Sequence, residues 1–254
     1  MYTAMNSSTA AAGIALQLAP GTDARTVCHW LRSTAAGTTA PPLAALATAD
    51  QAQLHTDCAL IGQVLTSALA TSPLPPGVTA PTVGGGVKAA NNVRSRLQPT
   101  EAVLGYENIM NMLAAARTPE ACAPGSAPMA DLLAYHGEGD GKAGGAARQH
   151  RQQCGHAELV VAGMLLAPLV VGQTWWQKRE APPGPQKQCL LLVVSRACCN
   201  SCRYALPHLA RLLRVDIVAQ FRTRAGELSD PVLFHQDNTP PTKQVGFSPP
   251  PPPQ

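Results

Sequence analysis

Residues 188–195 read QCLLLVVS, and this run restricts the fold more than any other part of the chain. It is short, apolar without a break and rich in branched side chains. Such a run predicts a strand buried on both faces, which other segments must cover from each side. Residues 155–171 predict one cover, a helix apolar on nearly every face and buried between layers. A cysteine-bearing turn follows the strand, then a helix over about 202–214 and a second strand over 215–222. The order helix–loop–strand–turn–helix–strand predicts an α/β fold.

The rest of the chain carries weaker signals. Residues 1–71 are rich in Ala and Thr and predict a helical region, with an amphipathic helix over 43–69 placing Leu43, Leu46, Leu54, Leu60, Ile61, Val64, Leu65 and Leu69 on its apolar positions. Residues 72–90 contain SPLPPGVTAPTVGGG, where Pro and Gly break both periodicities and predict a linker. The main domain is expected over 91–238, with its core at about 150–225 and further helices over 88–117 and 130–135. From 239 to 254 the chain is Pro-rich and ends in five prolines and a glutamine, a disordered tail by composition. Only 4% of the 254 residues are aromatic and 13% charged, so a compact core with looser flanks is expected.

Several classes are disfavoured. The longest apolar stretch, 159–171, is about 13 residues against the roughly 20 that a bilayer span needs. Residues 1–20 contain no basic residue, and Arg25 is the first, which argues against a secretory signal or a mitochondrial leader. An intracellular protein, of cytoplasm or nucleus, is the expectation. Of the eight cysteines, five (Cys154, Cys189, Cys198, Cys199 and Cys202) fall in one stretch. That clustering favours metal binding or reactive thiols over a disulfide scaffold. Residues 142–224 hold 12 Lys and Arg against only Glu158, Glu180 and Asp216, a net +9 within a chain of net +4. An anionic partner for this stretch follows.

Three features converge on a chemistry. His156-Ala157-Glu158 opens the first predicted helix, and Cys199-Asn200-Ser201-Cys202 places a C-x-x-C pair between the buried strand and the next helix. Two thiolates and one imidazole suit a catalytic zinc, with the fourth tetrahedral position left to water. Unpaired N–H groups at a helix start favour thiolate over thiol, and zinc acidifies the water it holds. A carboxylate two residues from His156 can take that proton and return it to a departing amine.

At these residues the chain resembles the zinc-dependent cytidine deaminase-like superfamily, whose pattern is H-x-E or C-x-E followed by P-C-x-x-C. Here HAE is followed, 40 residues on, by CNSC, and LLVVSRACCNSCRYAL is similar to the fungal and bacterial-toxin branch of nucleic-acid deaminases. The resemblance covers about 150–225 and implies a three-layer cytidine deaminase-like domain. It implies His156, Cys199 and Cys202 as zinc ligands and Glu158 as the proton shuttle. It also implies a β-hairpin ahead of the HAE helix, which the loop-like sequence of 137–150 does not predict. Cys198 stands where the family has proline, a position that shapes the turn and binds no metal.

The reaction so implied is hydrolytic deamination of a nucleobase, cytosine to uracil first. The basic stretch favours single-stranded nucleic acid over a free nucleoside. Asn200, Trp175 and Arg203 are candidate substrate contacts, Trp175 by stacking on a base. Each has a plainer reading: Asn200 as a turn former, the tryptophan as a core cap, and Arg203 on the solvated face of its helix with Arg211 and Arg214. The competing functional class is a zinc-stabilised binding module without catalysis, with Cys154, His156, Cys199 and Cys202 closing a four-ligand site. A redox dithiol is a third reading, but it leaves His-x-Glu unexplained.

Overall fold

The computed structural model describes residues 9–36, 58–80, 86–91, 156–166, 187–198, 202, 206–207, 209–211, 214–223 and 227–237. These form a mixed α/β fold around a six-stranded sheet. The strands are β1 (Ala10–Leu18), β2 (Val78–Thr79), β3 (Lys88–Asn91), β4 (Lys187–Val194), β5 (Asp216–Phe221) and β6 (Val232–Phe234). Helices α1 (Arg25–Ala36), α2 (Cys58–Thr71) and α3 (Ala157–Leu166) complete the named elements. Cys202, Leu206, Pro207 and 209–211 are also helical.

Strand β4 is central, as its sequence predicts. It pairs antiparallel with β1 on one side and parallel with β5 on the other. Strand β5 carries β6 antiparallel at one edge. At the other edge β1 is shared: Ala10–Gly13 pair with β3, and Gln17 and Leu18 with β2, both antiparallel.

Alternation along β4 divides the core. Leu190, Leu192 and Val194 pack with α3 and with the helical Leu206, Leu209 and Ala210. Cys189, Leu191 and Val193 pack with α1 and α2 on the opposite face. Every residue of α3 is buried, which explains a helix without a polar stripe. The helical stretch through Arg211 ends with Arg214 in the left-handed region (φ 52°). The amide of Val215 donates to the carbonyl of Ala210 and that of Arg214 to Arg211, the paired bonds of a Schellman stop. Val215, buried beyond the stop, leads into β5.

Three sequence expectations are corrected. Residues 10–18 are a buried strand of the main sheet, so 1–71 is not a separate helical region. Ala favours helix in isolation, but Ala11, Gly13 and Ala15 form the face of β1 turned to α3, where small side chains let a helix sit close. A Cβ built on Gly13 would lie 2.6 Å from Leu192 Cδ2, 2.7 Å from the Leu191 carbonyl oxygen and 3.0 Å from Val161 Cγ1. Residues 72–90 likewise contain β2 and most of β3, so they supply edge strands as well as connections. The expected helix over 43–69 is seen as α2, which buries Ile61, Leu65 and Ala68; its part before Cys58 lies outside the described residues. The expected helix over 88–117 is corrected at its start, where Lys88–Asn91 form β3 by pairing with β1; its remainder, the helix over 130–135 and the Pro-rich tail lie outside the described residues. Among the described residues no helix is long and apolar enough to cross a membrane.

Candidate metal centre

The start of α3 fixes two of the candidate residues. The carbonyl of His156 accepts the amides of Leu159 and Val160, both at 3.0 Å, so His156 is the N-cap. Glu158 falls at the second helical position and is 3% exposed. The unpaired N–H groups and the dipole at this end favour a carboxylate there. Its burial agrees with its rarity as one of three acids in the basic stretch.

The end of β4 fixes the third. Ser195 Oγ accepts the amide of Ala10, and the amide of Ser195 donates to the carbonyl of Ala10, both at 2.9 Å. The amide of Arg222 donates to Val194 at 3.0 Å. The chain therefore leaves the sheet at a defined point and re-enters helix at Cys202, which is fully buried. Cys198, on the way, is half-buried against the α3-side core.

These elements bring His156 Nδ1 to 3.4 Å from Cys202 Sγ, across 46 positions of sequence. A carboxylate oxygen of Glu158, the imidazole nitrogen and the sulfur all lie within 4.8 Å of one another. The spacing fits one shared ion. Zinc bonds of about 2.3 Å to sulfur and 2.0–2.1 Å to nitrogen, at a tetrahedral angle, separate the two donors by roughly 3.6 Å. The donor chemistry, soft sulfur with imidazole, is that of a zinc or another transition metal rather than magnesium or calcium. The cluster can hold a metal ion.

Of the sequence candidates, His156, Glu158 and Cys202 are brought together. Cys199, Asn200, Trp175 and Arg203 lie outside the described residues, as does Cys154. Cys28 and Cys189 are buried free thiols. They belong to the opposite core, on the α1 and α2 side. Burial pushes both thiols up, Cys189 well above the usual range, which makes them inert.

Sequence reasoning gave Asn91 and Arg222 no role at this end of the sheet, and took Arg196 only as the basic residue that precedes the cysteine pair in the family resemblance. Asn91 ends β3 opposite Ala10, Arg196 follows the end of β4, and Arg222 follows the end of β5. No periodic signal marks them, because each sits where a strand stops. Comparison with family models, with curated proteins and with solved structures gave no match.

Proposed function

We propose that this protein is a zinc-dependent deaminase of a nucleobase, with a cytidine deaminase-like fold and cytosine as the first-choice base. The observation that carries the reading is the His156–Cys202 contact of 3.4 Å with the Glu158 carboxylate beside it. Two distant motifs that resemble one family's ligand and proton-transfer signatures converge at one end of one sheet. The layered arrangement supports it, with helices on both faces. So do the antiparallel pairings of β1 with β2 and β3, all of which precede α3 in sequence.

In this reading His156 and Cys202 hold the ion, with Cys199 as the third ligand implied by the resemblance. Zinc bound there supplies electrostatic activation of water. Glu158 does the proton work. Its carboxylate takes a proton from the attacking water and passes it towards the amine, so a C–O bond forms at the amine-bearing ring carbon, the C–N bond breaks and ammonia leaves. Burial in the first turn of α3 holds that carboxylate in place and away from bulk solvent.

One observation favours a second reading. The Glu158 oxygen is close enough to act as a ligand itself, which closes the site and leaves a zinc-stabilised binding module without turnover. Glu158→Gln separates the two. Under the enzyme reading the variant keeps its fold and stoichiometric zinc while uracil formation from cytosine substrates falls about 10²–10⁴-fold. Loss of zinc from the variant, with no turnover in the wild type, overturns the enzyme reading in favour of the module.

A further inference from the structure

The two halves of the candidate metal centre are carried by different strands. His156 and Glu158 ride with α3, which is seated so close on β1 that a Cβ on Gly13 would lie 3.0 Å from Val161 Cγ1. Cys202 lies on the chain that leaves the end of β4, seven residues beyond Ser195. The 3.4 Å between His156 Nδ1 and Cys202 Sγ therefore depends on how β1 and β4 are fixed to each other at this end.

The last joint between them is built on Ser195. Ala11 pairs with Val194, so Ala10 and Ser195 are the next antiparallel pair. In a hydrogen-bonded pair of this kind each residue's amide donates to the other's carbonyl. Here only half of that exchange is regular. The Ser195 amide donates to the Ala10 carbonyl at 2.9 Å, but the Ala10 amide donates to Ser195 Oγ, also at 2.9 Å. The hydroxyl takes the bond that the serine's own carbonyl would accept. The β1 amide stays satisfied in a buried place, Ser195 being 3% exposed, and the main chain is released to bend at Ser195 and Arg196.

The same exchange recurs at Ser229. Its amide donates to the Phe221 carbonyl at 2.7 Å, while the Phe221 amide donates to Ser229 Oγ at 3.2 Å. The carbonyl that is released there accepts Gln220 Nε2 at 2.9 Å. Ser229 and Phe221 lie on segments that carry no candidate ligand.

We propose that Ser195 is a positioning residue of the candidate metal centre: its hydroxyl closes the joint between β1 and β4 while freeing the main chain to turn towards Cys202, and so sets the reach of that sulfur to His156. This rests on reading His156, Glu158 and Cys202 as a metal site, and it is independent of the reaction the site performs. Without the oxygen, either the Ala10 amide is left buried and unpaired or the Ser195 carbonyl swings back into the ladder. The second outcome straightens the chain at the point where it must turn. In both, the sulfur and the imidazole lose their common register.

The test compares the full chain as wild type, Ser195→Ala and Ser229→Ala. The last deletes the same kind of bond where no ligand follows. Zinc affinity is measured by competition with a chromogenic chelator, and site geometry by the visible bands of bound cobalt(II), with circular dichroism on each protein. Ser195→Ala should weaken zinc about 10–100-fold, the usual effect of losing a group that orients a ligand, and should alter the cobalt bands; Ser229→Ala should leave both as in the wild type. Wild-type affinity and bands in Ser195→Ala, or equal losses in the two variants, overturn the positioning role and leave the metal site standing. A wild type that binds neither ion overturns the metal site and the positioning role with it. Should Ser195→Ala fail to fold, amide exchange in the wild type decides. Metal that depends on the joint must in turn tighten it, so zinc should slow exchange at Ala10 about tenfold or more beyond any change at Phe221. An equal change at the two amides overturns the role.

Discussion

Substitution of Gly13 by alanine tests how tightly α3, and with it the candidate metal centre, is seated on the sheet. The added Cβ would stand 2.6 Å from Leu192 Cδ2, about 0.9 Å inside the roughly 3.5 Å at which carbon atoms touch. It would also stand 2.7 Å from the Leu191 carbonyl oxygen. The leucine side chain can turn aside, but the carbonyl belongs to the backbone of β4, which is held between β1 and β5. Either β1 or α3 must shift, and overpacking of this kind costs about 1–3 kcal/mol. The restricted unfolded chain of alanine returns about 0.4–1 kcal/mol. The net loss is about 1–2 kcal/mol, so with a urea slope near 2 kcal/mol/M the midpoint falls by roughly 0.5–1 M. Urea denaturation followed by circular dichroism measures this directly, and zinc affinity measured alongside should weaken because His156 and Glu158 move with α3. An unchanged or raised midpoint refutes the close seating of β1 against β4 and α3.

Two further outcomes follow from individual side chains. Cys202→Ser should lower zinc affinity by about a hundredfold or more in a competition assay with a chromogenic chelator, since it removes a thiolate from a site already limited in donors; an unchanged affinity places the ion elsewhere. Asp216 is buried, accepts the amide of Gln236 at 3.0 Å and lies 3.8 Å from His235 Nε2. Burial is the main cause raising its carboxyl above the usual 3.8, against the bond from Gln236 and the charges of His235 and Lys187. A raised folded-state pKa means that the native state binds more protons, so this group's contribution is fully present below 3.8 and is lost as pH rises through the folded value. Asp216→Asn should therefore gain stability relative to the wild type as pH climbs above 3.8, read from thermal melts across pH; a gap that narrows with rising pH contradicts that sign.

The parts of the fold legible in the sequence are those whose residues state their own burial. QCLLLVVS admits little but a doubly covered strand, and α3 is apolar all round because all round it is packed. Glu158 stood out because an acid that opens such a helix, in a stretch with few acids, has no solvated face to occupy. β1 was hidden for the opposite reason. Its run of alanines has helical propensity and only Ile14 is β-branched, so strand geometry comes from pairing with β4 and from the closeness that Gly13 permits. β2 and β3 are too short to show a period and lie among prolines and glycines. β6, only three residues long, takes its place from its pairing with β5. Arg222 carries no signal of its own, since its placement depends on where β5 stops beside β4.

The pairing of β1 with β4 joins segments separated by 168 residues, Ala19 to Gln186. At a synthesis rate of about 5–20 residues per second, β1 leaves the ribosome roughly ten to thirty seconds before its principal neighbour exists. During that interval an apolar strand waits with one long edge unsatisfied, a state open to pairing with other nascent chains. The high contact order of this single ladder should make folding slow and dependent on whatever shields that edge. Both halves of the candidate metal centre are then united late, since the end of β4 that leads towards Cys202 is anchored to Ala10.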